Sequence, residues 1–443
     1  MKVFMLGWEF PPYISGGLGT ACYGLTRGLD EAGVEVMFVL PTAIPHDAAS
    51  HVRFRTPTTL MADPPGEGAL PAEGFRHLQM HTLPAMLQAY GTGASYEQVI
   101  ERLRQQQGLG ALGIPGLTDA SGGGGGWTLA GTPPGMYRGD LMTQIQRYAS
   151  LAVELAKRES FDVVHAHDWM TYPAGLAVSA YTGKPLVAHL HSTEFDRSGE
   201  HVNQHVYDIE RAGMHGADRV ICVSYLTRGI ALSRYGVPPE KVEVVYNAVE
   251  KPDGSPIETP PIARDEKIVL FLGRLTMQKG PEYFLLAAKK VLEKYKKVRF
   301  VIAGSGDMTA QVVEMSAALG IGRHVTFTGF LRGDDVARVF RMADLYVMPS
   351  VSEPFGIAPL EALSHNVPVI ISKQSGVSEV LTHVLKVDFW DVDEMANKII
   401  AVLRHPPLQR VLRQQGQIEL RRLSWRDSAD RCREVYQQLV GVA

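Results

Sequence analysis

The sequence predicts an α/β protein with two doubly wound, Rossmann-like domains that face a central cleft. Three observations lead to this fold class. The chain opens with a buried strand, a glycine-rich loop, a helix and a second buried strand, and the same rhythm restarts after a proline-rich linker. A length of 443 residues also suits two or three domains better than one. We place the first domain at 1–255 and the second at 262–423.

The first domain is predicted from short apolar runs that alternate with helical patterns. Strands are expected at 3–7, 34–40, 163–165, 186–189, 219–223 and 242–245, and helices at 20–32, 140–159 and 205–215. Residues 56–139 break this rhythm because they are rich in Gly and Pro and include the glycine run at 122–126. We expect an insertion with mobile loops there.

The second domain follows a linker at 251–264 that is rich in Pro, Glu and Ser. Strands are expected at 268–272, 299–303, 325–327, 345–348 and 367–371, and helices at 280–295 and 309–319. Ligands of open α/β sheets bind beyond the carboxyl ends of the strands. Two facing sheets would therefore share one cleft.

Composition excludes several classes of protein. The formal net charge is -3, from 44 Lys+Arg and 47 Asp+Glu, so a nucleic-acid or membrane-surface partner is not expected. The three cysteines show no zinc or redox spacing, which suits a reducing compartment. Trp8 and Glu9 interrupt the first apolar run, and no run approaches the ~18 residues of a membrane span. We expect a cytoplasmic protein without an integral membrane segment.

The first loop reads Gly16-Gly17-Leu18-Gly19 and stands directly before a helix. Glycines let a ligand approach the backbone, and a helix N-terminus favours an anion. A plain strand-to-helix turn is the alternative interpretation. Binding of a dinucleotide such as NAD is disfavoured, because the second strand ends in Leu40-Pro41 without the acidic residue that would hold the ribose.

Two strand ends carry the pattern His-x-His, at His165 and His167 and again at His189 and His191. Residues i and i+2 of a strand point to the same side, so each pair could present two imidazoles to a metal or to sugar hydroxyls. For the earlier member of each pair we favour a core histidine with satisfied nitrogens. For His167, Asp168 and His191, at the strand exits, we favour a ligand role.

The second domain has basic and glycine-rich strand ends. Arg274 and Lys279 flank a helix start, which suits the clamping of a diphosphate that departs with negative charge. One strand later, Gly304 opens the loop Gly-Ser-Gly-Asp. Surface charge and turn glycines would explain either loop alone, but their occurrence at consecutive strand ends favours a nucleotide site.

The segment at 353–362, Glu-Pro-Phe-Gly-Ile-Ala-Pro-Leu-Glu-Ala, carries two glutamates among apolar residues and turn formers. Glu353 in the loop suits hydrogen bonds from sugar hydroxyls, and Glu361 in the following helix suits the two ribose hydroxyls. By contrast, Asp391-Val392-Asp393, an apparent metal motif, stands before a helical pattern. We interpret it as a helix cap.

These residues resemble the retaining GT-B glycosyltransferases, specifically the group 1 family of glycogen and starch synthases, sucrose synthases and many mannosyl- and glucosyltransferases. The match runs from the loop at 16–18, through His-Ala-His-Asp-Trp at 165–169, to Gly273-Arg274, Lys279 and the segment 353–361. The stretch 424–443 is similar to the family's last helix, which crosses back to the first lobe.

The resemblance implies a role for each matching residue. Arg274 and Lys279 would neutralise the nucleotide diphosphate, Glu361 would bind the ribose, and Glu353 with the amides after it would hold the donor sugar. His191 would sit beside the anomeric region, and Asp168 would orient the acceptor or donor sugar. Further substrate-binding positions are expected at Glu9, Gly16, Gly17, Gly304, Phe355, Gly356 and Ile357.

The resemblance also implies the reaction. Trp8-Glu9, the Gly-Gly-Leu loop and His-Asp-Trp are most similar to glycogen and starch synthases, which implies ADP- or UDP-glucose as donor and an α-glucan as acceptor. No cofactor or metal is expected, because the basic pair stabilises the leaving group. Ile14 stands where those synthases usually carry lysine, so acceptors of sucrose, trehalose or cell-surface glycan type remain alternatives.

Other classes stay open on the sequence alone. A metal-dependent hydrolase would use the two His-x-His pairs, a sensor would bind the sugar nucleotide without transfer, and a phosphorylase is possible on fold alone. The base of the donor, the linkage and the oligomeric state are not determined by the sequence.

Overall fold

The computed structural model describes residues 1–10, 16–41, 78–82, 141–250 and 266–441. The predicted linker at 251–264 and the glycine run at 122–126 lie outside these ranges, as does most of the predicted insertion.

The first lobe is a parallel sheet with helices on both faces. Its strands are β1 (Lys2–Leu6), β2 (Glu35–Leu40), β3 (Leu78–Thr82), β4 (Val163–His167), β5 (Leu186–Leu190), β6 (Arg219–Cys222) and β7 (Val242–Val244). Its helices are α1 (Gly17–Glu31), α2 (Leu141–Ala156), α3 (Tyr172–Thr182), α4 (Glu194–Ser198), α5 (Gln204–Gly216) and α6 (Tyr225–Tyr235). The described strands form a seven-stranded sheet in the order β3-β2-β1-β4-β5-β6-β7.

The second lobe repeats this plan. Its strands are β8 (Lys267–Leu272), β9 (Val298–Ala303), β10 (Val325–Gly329), β11 (Leu345–Met348), β12 (Val369–Ser372) and β13 (Leu385–Val387). Its helices are α7 (Pro281–Lys294), α8 (Thr309–Ala318), α9 (Asp334–Met342), α10 (Ile357–Ser364), α11 (Val377–Val380), α12 (Val392–Arg404) and α13 (Pro406–Leu420). The described strands pair in the order β10-β9-β8-β11-β12-β13.

The fold class predicted from the sequence is confirmed. In both sheets the strand order runs outward from a central strand in two directions, and the crevice at that switch point is where such sheets bind ligands. The strands β1, β4 and β5 are buried along nearly their whole length, as expected for strands covered on both faces. Except for β3 and β13, the strands of both sheets come from apolar runs that the sequence identified.

The last helix, α14 (Trp425–Val440), packs on α1 of the first lobe. The backbone of α1 makes room for Trp425 at two glycines one helical turn apart. A Cβ added at Gly24 would lie 2.0 Å from the indole, and one at Gly28 would lie 2.3 Å from the Trp425 carbonyl oxygen. Ala429 and Tyr436 extend the buried seam along α14. The C-terminus therefore joins the first lobe, although the chain reaches it from the second.

The structure tests two local predictions, the insertion at 56–139 and the helix cap at Asp391. The strand β3 lies within the predicted insertion and extends the first sheet by pairing with β2, so this part of 56–139 belongs to the sheet rather than to a loop. Asp391 is the N-cap of α12, and its side chain accepts a hydrogen bond from the Glu394 amide, which confirms the helix-cap interpretation. Among the described residues, no helix is long and apolar enough to cross a bilayer.

The two lobes contact each other directly beside the cleft. The Ser224 hydroxyl donates to the Pro354 carbonyl oxygen at 2.6 Å, and the Ser352 hydroxyl donates to Asp196 Oδ1 at 2.6 Å. The Glu379 carboxylate accepts the first two backbone amides of α6 at 2.9 and 2.8 Å. A carboxylate at a helix N-terminus is stabilising, so this contact fixes the first lobe against the second.

Candidate active site

A cleft of about 400 Å³ lies between the carboxyl ends of the two sheets. Both lobes contribute to its walls, as two facing sheets require. With the exception of His167, the residues that the sequence predicted for the site line this one cleft: Glu9, Gly16, Gly17, Asp168, His191, Arg274, Lys279, Gly304, Glu353, Phe355, Gly356, Ile357 and Glu361. Positions that lie far apart in the chain thus meet at one place.

On the first lobe, Asp168 ties the ends of two neighbouring strands together. It follows β4 with a φ of 60°, a left-handed conformation that is uncommon outside glycine. Its Oδ1 accepts the backbone amide of His191 at 2.7 Å and that of Ser192 at 3.3 Å. Burial raises the pKa of the Asp168 carboxyl to about 7. Asp168 therefore fixes the loop that carries His191 while it lines the cleft.

Behind this wall, four histidines form two hydrogen-bonded pairs. His167 Nδ1 lies 2.9 Å from His191 Nε2, and His165 Nε2 lies 3.1 Å from His189 Nδ1. His165 Nδ1 also reaches the Tyr436 hydroxyl on α14, at 2.5 Å. Burial lowers the pKa of His165 and of His191 to about 3, and it lowers that of His167 and His189 as well. All four rings are therefore neutral near pH 7.

The structure corrects two expectations for this cluster. His167 was expected to face a ligand, but its side chain is fully buried and does not line the cleft. The β4 register places His167 opposite His189, so both rings lie under the wall that His191 forms. For His165, the interpretation as a core histidine with both nitrogens satisfied agrees with the structure. His189 is buried as expected, but its Nε2 has no hydrogen-bond partner among the described residues, so the expectation of satisfied nitrogens is wrong there.

The cluster geometry argues against a metal-dependent hydrolase. His165, His167 and His189 offer nitrogens that all lie within 4.8 Å of one another, but both ring nitrogens of His165 are already hydrogen-bonded, one to Tyr436 and one to His189. The rings of His165 and His167 stack at 4.5 Å with an interplanar angle of 18°. All three side chains are also buried, whereas a hydrolytic metal must keep an open coordination position for water.

On the second lobe, two glycines bring neighbouring strand ends close together. Gly304, after β9, has a φ of 139°, which L side chains rarely adopt. A Cβ there would lie 1.9 Å from the Gly273 carbonyl oxygen at the end of β8. Only glycine therefore permits this close approach, which places exposed backbone and Arg274 at the same edge of the sheet.

The two cations of this edge have different surroundings. Lys279 Nζ lies 2.6 Å from Glu353 Oε2, and the Ser350 hydroxyl lies 3.2 Å from the same oxygen. The Arg274 guanidinium lines the cleft and makes no hydrogen bond or ion pair with the part of the chain that the structure describes. One cation is thus already paired with a candidate sugar-binding carboxylate, and the other is available to an anionic ligand.

The glutamate segment forms a turn followed by the helix α10. Gly356 is the N-cap of α10 with a φ of 102°, a conformation that favours glycine. Ile357 and Ala358 at the helix start line the cleft, and the dipole of a helix favours an oxygen-rich or anionic group at this end. Glu361 lies one turn further on, and burial raises the pKa of its carboxyl to about 7.

Sequence reasoning missed several residues of the cleft, of which Arg197 is the most informative. Arg197 lies in the short helix α4, and its guanidinium bonds Glu194 at 3.1 Å and Glu210 at 2.5 Å. Nothing in the spacing of the residues after His191 places a residue of the next helix in the cleft. Asn247, shortly after the end of β7, lines the cleft too, and its position beyond a strand end was a usable signal.

Comparison with known families covers most of the chain. Residues 257–419 match the model described as Glycosyl transferases group 1, residues 127–251 match Glycosyltransferase Family 4, and residues 2–85 match Starch synthase catalytic domain. These matches follow one another along the chain and assign both lobes to related enzymes.

Individual proteins give the same result. An uncharacterized glycosyltransferase of Methanocaldococcus jannaschii is 29% identical over 401 residues, which is 86% of this chain and 83% of that protein. A glycogen synthase of Mycobacterium tuberculosis is 24% identical over 394 residues, covering 86% and 80%. Among solved structures, Anabaena HepE in complex with UDP and glucose superposes with a TM-score of 0.67 at 18% identity, covering 99% of this chain and all of the other.

Proposed function

Since this chain is a glycosyltransferase of the GT-B type and hence a nucleotide-sugar hexosyltransferase, we propose that it transfers glucose from ADP- or UDP-glucose to an α-glucan, with retention of anomeric configuration. One observation carries this proposal. Arg274, Lys279, Glu353 and Glu361 converge on the cleft between the lobes. Two cations and two carboxylates at one site match the opposite needs of a diphosphate and of sugar hydroxyls.

The second lobe supports a nucleotide-sugar donor. The guanidinium of Arg274, which has no partner among the described residues, is a charge-assisted donor for phosphate oxygens, and Lys279 lines the same cleft in contact with Glu353. Glu361 would accept both ribose hydroxyls, and Glu353 would accept those of the transferred sugar. The presence of UDP and glucose in the Anabaena structure agrees with this assignment for a protein of the same fold.

The first lobe supports an uncharged acceptor. Its described charged residues in the cleft wall are Glu9, Asp168 and Arg197. The charge of Arg197 is already balanced, because Glu194 and Glu210 both bond its guanidinium. The described part of this wall therefore offers no free cation for an acceptor phosphate, while its carboxylates suit hydroxyl donors. A neutral glucan, the substrate class that the name of the mycobacterial relative indicates, fits this wall better than a sugar phosphate.

Retention is proposed to proceed by same-face attack. The bond from the anomeric carbon to the diphosphate breaks while the bond to the acceptor oxygen forms, and the acceptor proton passes to a departing phosphate oxygen. Arg274 and Lys279 stabilise the charge that develops on the diphosphate. No described carboxylate is assigned as a nucleophile, which a double displacement would require.

The test is a screen of donors against acceptors with the purified full chain. We expect transfer from ADP- or UDP-glucose to maltooligosaccharides, with an α-anomeric proton in the product by nuclear magnetic resonance. Glucose 6-phosphate and fructose 6-phosphate are the charged acceptors for comparison. Preferred transfer to either sugar phosphate would refute the neutral acceptor, and a β-anomeric product would refute retention.

A further inference from the structure

His191 is held in place at two points from the end of strand β4. Its backbone amide donates to Asp168 Oδ1 at 2.7 Å, and its ring nitrogen Nε2 lies 2.9 Å from His167 Nδ1. The ring also stacks on His189 at 4.2 Å. Because Nε2 is engaged from behind, Nδ1 is the ring nitrogen of His191 that remains for a ligand in the cleft.

The bond between the two rings contains one proton, and either ring can supply it. If His191 Nε2–H donates, the single proton of the neutral His167 ring must sit on its Nε2. That atom is buried and has no hydrogen-bond partner among the described residues, so the N–H would be unsatisfied. If His167 Nδ1–H donates instead, the buried Nε2 is left only with an unused lone pair.

The second arrangement is the less costly one. Buried N–H groups without an acceptor are rarer in proteins than acceptors without a donor, and a polar group buried without its hydrogen bond is destabilising. The rings around His167 offer no acceptor for an Nε2–H. Its ring centroid lies 4.5 Å from that of His165, 5.1 Å from that of His189 and 6.3 Å from that of Phe38. Both rings of the pair are neutral, because burial lowers the pKa of each.

We propose that His167 is a positioning residue that donates its Nδ1–H to His191 Nε2 and thereby fixes His191 as the tautomer with its proton on Nδ1. His191 then presents an N–H donor to the cleft and is not a general base. This last step rests on the proposed function: the donor reaches an oxygen of the bound sugar nucleotide. The assignment agrees with same-face attack, in which the phosphate rather than a side chain takes the acceptor proton.

The direct test is ¹⁵N nuclear magnetic resonance of the full chain labelled at histidine. Protonated and unprotonated ring nitrogens resonate in separate regions, so the spectrum reports the tautomer without any substrate. The His191 signals are assigned by their loss in His191→Leu. We expect the proton on Nδ1 of His191 in the wild type. A proton on its Nε2 would overturn the proposal.

Two substitutions of the positioning residue sharpen the test. In His167→Asn the amide nitrogen replaces Nδ1 as donor, whereas His167→Leu removes the donor. We expect His167→Leu to show mixed His191 tautomers and a kcat lower by about 10- to 100-fold with little change in acceptor KM, as is typical when a group that orients a functional side chain is lost. His167→Asn should restore the tautomer and most of kcat.

The matched control is His165→Asn, in the other buried pair, which makes no hydrogen bond to His191. It should disturb packing to a similar degree and leave the His191 tautomer unchanged. If His167→Leu fails to fold, the wild-type and His167→Asn spectra still decide. An Nδ1–H tautomer in a protein that transfers no sugar to any acceptor would refute the proposed function and not this inference. A His167→Leu protein with unchanged tautomer and kcat would refute the inference alone.

Discussion

Replacing Arg274 and Lys279 separately by alanine should slow turnover to a similar extent but affect stability differently. Both side chains are proposed to stabilise the departing diphosphate. Removing one donor to a developing oxyanion costs typically about 10²–10³ in kcat, or roughly 3–4 kcal/mol. We expect a loss in that range for each variant, with acceptor KM changed by less than about threefold, because neither side chain is proposed to contact the acceptor.

The stability difference follows from the partners of the two side chains. Lys279 is bonded to Glu353, whose side chain is only 8% exposed, so Lys279→Ala leaves a nearly buried carboxylate with only the Ser350 hydroxyl among the partners described. Losing a hydrogen bond to a charged group costs ~1.5–3 kcal/mol. At 2–4 °C per kcal/mol for a domain of this size, Tm of the second lobe should fall by roughly 3–12 °C.

Arg274→Ala removes no such bond, since its guanidinium has no partner in the described chain. Its Tm should therefore stay within about 2 °C of wild type, as for a surface substitution. The assays are steady-state transfer of glucose at saturating acceptor and differential scanning calorimetry of the free enzyme. A near-wild-type kcat in either variant would refute the phosphate clamp. Equal Tm values for the two variants would refute the ion pair in the free enzyme.

Three further predictions concern pH, the lobe contact and the last helix. Burial raises the pKa of the Glu361 carboxyl from 4.5 to about 7, so its contribution to stability is fully present below pH 4.5 and is lost as pH rises through 7. Glu361→Gln should flatten that part of a plot of Tm against pH. An unchanged slope in the variant would contradict the assignment. Ser224→Ala removes the hydroxyl of the first lobe that bonds the Pro354 carbonyl of the second. It should lower kcat/KM for the donor about fivefold, as expected for the loss of one hydrogen bond of ~1 kcal/mol. The control Ser233→Ala, at an exposed serine, should leave kcat/KM unchanged. Gly24→Ala should lower Tm because its Cβ would overlap the Trp425 indole of the last helix. Gly229→Ala should raise Tm slightly, because its added Cβ would meet open space. Equal changes of Tm in the two variants would refute the packing argument.

Much of the fold could be predicted from the sequence because the information is local. Buried parallel strands are short apolar runs, and both lobes contain enough of them to show the βαβ rhythm twice. The strand β3 was not found, because its neighbours at 56–139 are rich in Gly and Pro and its pairing with β2 is set by tertiary contact. The boundaries of the two domains and the cytoplasmic location stay predictions.

The site could be predicted where function requires unusual residues at strand ends. The glycines Gly304 and Gly356 and the glutamate Glu353 among apolar residues stand out in the sequence. The structure gives the reason for the glycines, since both adopt positive φ. Two other features depend on which residues of separate strands and helices meet. His167 is hidden because its strand register puts it under the wall, and Arg197 reaches the cleft from a helix whose docking no local pattern reveals.

We expect closure of the lobes and binding of the proposed donor sugar to be coupled through one loop. The carbonyl of Pro354, next to Glu353, accepts hydrogen bonds from Ser224 at 2.6 Å and from Thr227 at 3.3 Å, both on the first lobe. Opening the lobes breaks these bonds and frees the loop that is proposed to hold the sugar. A ligand that binds the ordered loop better must then favour the closed state by the same free energy. A donor sugar held by this loop would therefore help to assemble the site in which the neutral His191 of the first lobe faces the cations of the second lobe.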